Sequence, residues 1–161
     1  MTTNQAVAPI YQPLAALKYA LTPVHGHDIA VATVALMLDG VDGAGGRARV
    51  LHPGEPVPFG AQPVLVAPST VYATVLIENL LRQWPAHVPK PWLVLVADVP
   101  AAPAPAARYR LRALSARLAG IALVPYLPVL RTVEGPGDAI QDADVIRAAA
   151  KLCRRLEGKN A

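Results

Sequence analysis

Short runs of aliphatic residues, each followed by a stretch with helical signals, constrain this chain more than any other feature. PVLVAPS (63–69), WLVLVADVP (92–100) and IALVPYL (121–127) are strand-length and largely apolar at successive positions, not at every second one, and LKYALTPV (17–24) is a further strand-like run. A strand buried on one face alternates, whereas one buried on both faces does not, so these runs belong to a parallel sheet covered by helices on each side. RARVLHP (47–53) supplies a weaker strand, second in chain order. Between the strands, Asp28 is placed to cap a helix running to Gly40, and Ser69 or Thr70 opens another that reaches Trp84 ahead of Pro85. AAPAPAA (101–107) reads as a stiff linker into a helix over 108–119 that Gly120 ends. A loop around GPG (135–137) precedes a last helix over 143–157, with Gly158 as its C-cap. The expectation is a single-domain α/β fold over 16–158, a mostly parallel five-stranded sheet with helices on both faces. Residues 1–15, with two prolines and little pattern, read as a loosely ordered arm.

The composition fits that fold and excludes several others. A chain of 161 residues buries about 70% of its unfolded surface, and at 53% apolar but 5% aromatic its core must be built from Val, Leu, Ile and Ala. A net charge of +4 permits an anionic partner without demanding one. The single cysteine, Cys153, rules out an intramolecular disulfide and any multi-cysteine zinc site, and it suits a reducing compartment. The opening MTTNQAVAPIYQP has no basic segment before an apolar one. No apolar run approaches the roughly 20 residues that span a bilayer. These features lead us to expect a cytoplasmic protein with no membrane partner.

The turn after the first strand lies where open α/β sheets bind ligands, yet its residues are wrong for nucleotide phosphates. Cradling a triphosphate takes several glycines for close backbone approach, a lysine for the β- and γ-phosphates and a hydroxyl for Mg²⁺. This turn offers Gly26 alone, flanked by His25, His27 and Asp28 and followed by Ile29, Ala30, Val31 and Ala32. Imidazoles beside a carboxylate suggest other chemistry. His25, Gly26, His27 and Asp28, with Asp98 after the fourth strand, form a candidate ligand or anion site, and His25, His27 and His52, the last after the second strand, are weak candidates for a metal. Ser69 and Thr70, at the start of the second helix, join the candidate anion site. No cofactor is expected. Against these readings, Asp28 is equally a helix cap and the histidines solvated loop residues. Ser69 and Ser115 lie in no nucleophile elbow, and no enzyme signature stands out. Gly43, Gly45 and Ala48 formally match a dinucleotide fingerprint, but they follow a helix and precede a strand, the reverse of what that fingerprint needs.

The last helix carries the most ordered charge. Arg147, Lys151, Arg154 and Arg155 share one side, opposite Val145, Ala149, Leu152, Cys153 and Leu156, and Lys159 follows Gly158. Such a stripe is either a solvated outer face or a contact for nucleic-acid phosphates or an acidic partner. Thr74, Glu78 and Arg82, at spacings of four, make a second polar stripe that is expected to face solvent.

The strand-to-helix junctions resemble the MinD/ParA-type P-loop ATPases. PVLVAPSTVYATVLIENLL (63–81) looks like their third strand and following helix. IALVPYLPVLR (121–131) resembles their strand ending in Pro, aromatic, x-Pro, x-x-Arg, and AAAKLCRRLEG fits their final helix. The match is closest to small high-GC bacterial relatives with an HGGAG-type loop. Aligned on that loop, His25 and Gly26 are followed by His27, Asp28 and Ile29 in place of Gly-Ala-Gly, and the Mg²⁺-binding hydroxyl is replaced by Val31 or Ala32. The resemblance implies a P-loop-like or Rossmann-like three-layer sandwich and a degenerate, non-hydrolysing member. It would act as an accessory or scaffold through contact with a protein partner, an active homologue or a second copy, or with nucleic acid. The alternative expectation is a small-molecule, nucleotide or metal-binding enzyme using the rim after strands 1, 2 and 4.

Overall fold

The computed structural model describes residues 17–40 and 46–158. The expected N-terminal arm, the Gly43–Gly45 turn and Lys159 lie outside them. Five parallel strands, β1 (Tyr19–Pro23), β2 (Ala48–Val50), β3 (Gln62–Pro68), β4 (Trp92–Val96) and β5 (Gly120–Val124), form one sheet in the order β2-β1-β3-β4-β5. The chain leaves β1 toward β2 on one side and continues from β3 on the other, so the direction of winding reverses between β1 and β3.

The absence of alternation in the strands is explained by two cores. Tyr19, Leu21, Val64, Val66, Val94, Val96 and Val124 point to one face, beneath α1 (Ile29–Asp39) and α5 (Ala143–Leu156). Leu65, Ala67, Leu93 and Leu95 point to the other, beneath α2 (Val71–Arg82) and α3 (Pro105–Leu114). Near β1 that second face is closed by a loop instead of a helix, with Ala20, Leu51 and Ala61 packed together. Helix α1 is apolar all round because it is enclosed. Val31, Thr33, Val34, Met37 and Leu38 are buried, no residue of the helix is fully exposed, and it packs against α5 and the short α4 (Pro136–Ala139). The one polar residue in its interior, Thr33, donates to the Ile29 carbonyl at 2.7 Å. Much of the apolar surface of α1 is therefore used inside the domain.

Several local readings change. Helix α3 starts at Pro105, inside the stretch read as linker, because proline suits the first helical turn, where no N–H partner is needed. Gly120 is the first residue of β5 and does not end a helix; a 3₁₀ turn at Ser115–Arg117 closes that segment. A second 3₁₀ turn, Pro128–Arg131, follows β5. The stripe of Thr74, Glu78 and Arg82 does not face solvent as a unit. Thr74 is fully buried, and Glu78 accepts from Arg82 at 2.8 Å and from Arg110 at 2.7 Å, tying α2 to α3. Asp28 and Thr70 cap their helices as expected, and Asp142 caps α5 in the same way, each accepting from backbone N–H groups of the turn it opens.

Burial raises the pKa of two ionisable groups of this core above their ordinary values, the Tyr19 phenol and the Cys153 thiol; Cys153 also donates to the Met37 carbonyl at 3.3 Å. Each is neutral when protonated and holds its proton more tightly folded than unfolded. Their contribution to stability is complete below the unfolded pKa and declines as pH rises beyond it. Urea midpoints measured from pH 7 to 11 should hold steady to about pH 8.5 and then fall, as the unfolded thiol and phenol begin to ionise. Cys153→Ser should remove the earlier part of the decline.

Candidate functional site at the carboxyl edge of the sheet

Every sequence-derived ligand candidate lies along the carboxyl ends of the strands, but the geometry divides them. Beyond β1 the chain turns through Gly26, whose φ of 108° suits glycine. Asp28 Oδ1 then accepts from the Val31 N–H at 3.0 Å, so the carboxylate occupies part of the helix start that an anion would use. Beyond β3, Ser69 donates from Oγ to Asp98 Oδ1 at 3.0 Å, and Thr70 Oγ1 accepts from the Ala73 N–H at 3.1 Å. The His25 ring stands edge-on to Tyr72, with centroids 5.4 Å apart.

At the winding reversal between β1 and β3 lies a crevice of about 100 Å³, lined by His25, Gly26, Asp28, Ala67, Asp98 and neighbouring apolar residues. Its fixed charges are two carboxylates, and among the described residues no Lys or Arg lines it. The space is a small fraction of the several hundred Å³ typical of ligand sites. His27 and His52 line a different cleft, of about 320 Å³, between the ends of β1 and β2. There Arg49 holds Glu55 through two 2.8 Å hydrogen bonds, which pull the Glu55 carboxyl below its usual range. His25 and His27 thus line separate cavities. Among the described residues no group of three His, Cys, Asp or Glu side chains is placed to hold a metal ion.

If Asp28 serves as a cap, Asp28→Ala should cost about 1 kcal/mol, and Asp28→Asn, which keeps the accepting oxygen, only a few tenths. Chemical denaturation of the two variants checks this. Equal losses would argue for a role of the charge itself.

The basic stripe on α5 is also divided. Arg155 turns back onto its own sheet, donating from Nε to the Ile121 carbonyl at 3.3 Å with its guanidinium 5.4 Å from the Trp92 ring centre. Arg147 pairs with Asp144. Lys151 and Arg154 are exposed and have no ion-pair partner among the described residues. Arg147 and Lys151 also line a third and larger cleft, of about 550 Å³, where β4 and β5 end. Ser69 lines this cleft while its partner Asp98 lines the crevice, so their hydrogen bond lies in the wall between the two. Sequence reading missed this cleft because its walls come from four separate segments; the signal available was the proline-flanked run VPYLP at 124–128 next to a strand end. Among the described residues no helix is long and apolar enough to cross a membrane. No protein-family model, curated protein or solved structure matches this chain.

Proposed function

We propose that this protein is a non-hydrolysing relative of the MinD/ParA-type ATPases that acts as an accessory subunit by binding a protein partner along the carboxyl edge of its sheet. The observation carrying this reading is the crevice at the winding reversal. It is small, it is lined by Asp28 and Asp98 with no cation among the described residues, and Asp28 already bonds the Val31 N–H. A triphosphate would meet like charge there, with no lysine or hydroxyl to receive it. The same edge instead exposes apolar side chains beyond consecutive strands: Val71 and Tyr72 after β3 and Val99 after β4, with Tyr72 60% and Val99 49% accessible. Aromatic and aliphatic residues beside a polar rim are the usual substance of a protein contact. Nucleic-acid binding has less support, because Arg155 and Arg147 are engaged within the chain.

Two measurements test this. Mg·ATP, Mg·ADP and Mg·GTP should leave the melting temperature unchanged, whereas a ligand at 100 times its Kd would stabilise by about 2.7 kcal/mol. A photo-crosslinking phenylalanine analogue at position 72, introduced in the native host, should yield a discrete protein adduct that the same analogue at exposed Tyr109 on α3 does not. A nucleotide-induced shift, or equal crosslinking at both positions, would overturn the proposal.

A further inference from the structure

We infer that the cleft at the ends of β4 and β5 is a binding site for a small, flat aromatic molecule carrying one negative charge, with Lys151 as its charge anchor. The cleft adjoins the crevice across the Ser69–Asp98 hydrogen bond, with Ala97 lining both, and the inference does not rest on the protein-contact reading. The volume, about 550 Å³, is that of a small-molecule site.

The walls define the body of the ligand. Leu95, Leu123, Pro103, Pro125 and Tyr126 line the cleft, and proline and tyrosine rings present flat, rigid surfaces suited to a planar ring. Leu123 is 64% exposed although it is a strand residue; β5 is the edge strand of the sheet, and Leu123 belongs to none of the buried clusters. An aliphatic side chain left open inside a concave surface gains from an apolar occupant.

The charges define the head group. Arg147, Lys151 and Asp144 are the ionic residues lining the cleft. Arg147 and Asp144 neutralise each other, while Lys151 has no ion-pair partner among the described residues. One unmatched positive charge beside an apolar surface fits a monoanion. A carboxylate matches it better than a phosphate monoester, whose second charge would find no unpaired cation among the lining residues. Ser69, nine-tenths buried, donates its hydroxyl to Asp98 and so leaves only its oxygen lone pairs toward the cleft, which does not attract a second anionic group.

The test is calorimetric titration of the full chain with 2-naphthoate, 2-naphthylmethanol and 2-naphthyl phosphate, with amide chemical-shift mapping to locate the site. The expected result is one site for 2-naphthoate, with shifts centred on 123–127 and 144–151. The neutral alcohol should bind about tenfold more weakly or worse, as should 2-naphthoate to Lys151→Glu, the loss typical of a charge-assisted hydrogen bond. Leu123→Glu, at an exposed position, should weaken 2-naphthoate similarly while leaving the circular dichroism and melting temperature unchanged, which separates loss of the site from loss of the fold. No saturable binding of the carboxylate at millimolar concentration would overturn the inference. So would equal affinity for the alcohol, tighter binding of the phosphate, or undiminished binding to Lys151→Glu.

Discussion

Leu65→Ala should lower the free energy of unfolding by about 2–5 kcal/mol, whereas Leu123→Ala, the same chemical change two strands away, should cost less than about 0.5 kcal/mol. Leu65 sits in the middle of β3, the central strand of the sheet, with no accessible surface. It belongs to the cluster that joins β3 and β4 to α2 and α3, together with Ile77, Leu93, Leu111 and Leu118. Removing three carbons there leaves a cavity whose walls are held by hydrogen-bonded strands on both sides, so little collapse can relieve it. Leu123 is mostly in water and has no such cavity to leave. Urea denaturation of both variants reads the difference directly. Similar losses would mean that β5 is more deeply covered than its exposure indicates.

Gly120→Val is expected to be the other severe substitution, destabilising by about 1–3 kcal/mol through overpacking. Gly120 and Trp92 are paired across β4 and β5, and the indole lies over the glycine. A Cβ on residue 120 would come within 2.4 Å of Trp92 Cζ3 and 2.5 Å of Cη2, closer than carbon atoms approach. The ring would have to swing out, losing its contact with the Arg155 guanidinium and uncovering the partly buried hydrophobics near it. In a Trp84→Phe background the remaining indole reports this as a red-shifted emission together with a lower urea midpoint. Gly135→Ala provides the control, because a Cβ there meets nothing within 4 Å and its extended backbone, φ −166°, accepts any residue. An unshifted spectrum in Gly120→Val would mean the strand moves to spare the ring.

Both predictions concern residues whose neighbours lie far along the chain, and that separates what could be read from the sequence from what could not. Thr70 and Asp142 are legible as caps because the N–H groups they accept from lie two or three residues ahead. The strands are legible because burial on both faces leaves a one-dimensional mark, a run of aliphatic residues. Arg155 shows the complementary limit of a one-dimensional reading. On a helical wheel it belongs to a basic stripe, yet its partners, Trp92 and the Ile121 carbonyl, are more than thirty residues earlier. Thr74 and Glu78 misled in the same way, since their spacing marks one face of α2 without indicating that α3 lies against it.

The candidate site divides along the same line. That the turn at 24–28 lacks a lysine, a row of glycines and a following hydroxyl is a statement about composition within a few residues, and it needs no coordinates. Which rim residues share a cavity depends on strand order, and nothing in the chain specifies that β3 rather than β2 lies beside β4. The order β2-β1-β3-β4-β5 sends His25 and Asp98 to one crevice and His27 and His52 to another, though His25 and His27 are two residues apart. It also places Lys151, Leu123 and Tyr126 around one cleft, the arrangement on which the proposed aromatic-anion site rests. Local backbone and burial preferences decided the elements. The pairing of those elements, which depends on how two apolar layers close over one twisted sheet, decided the sites.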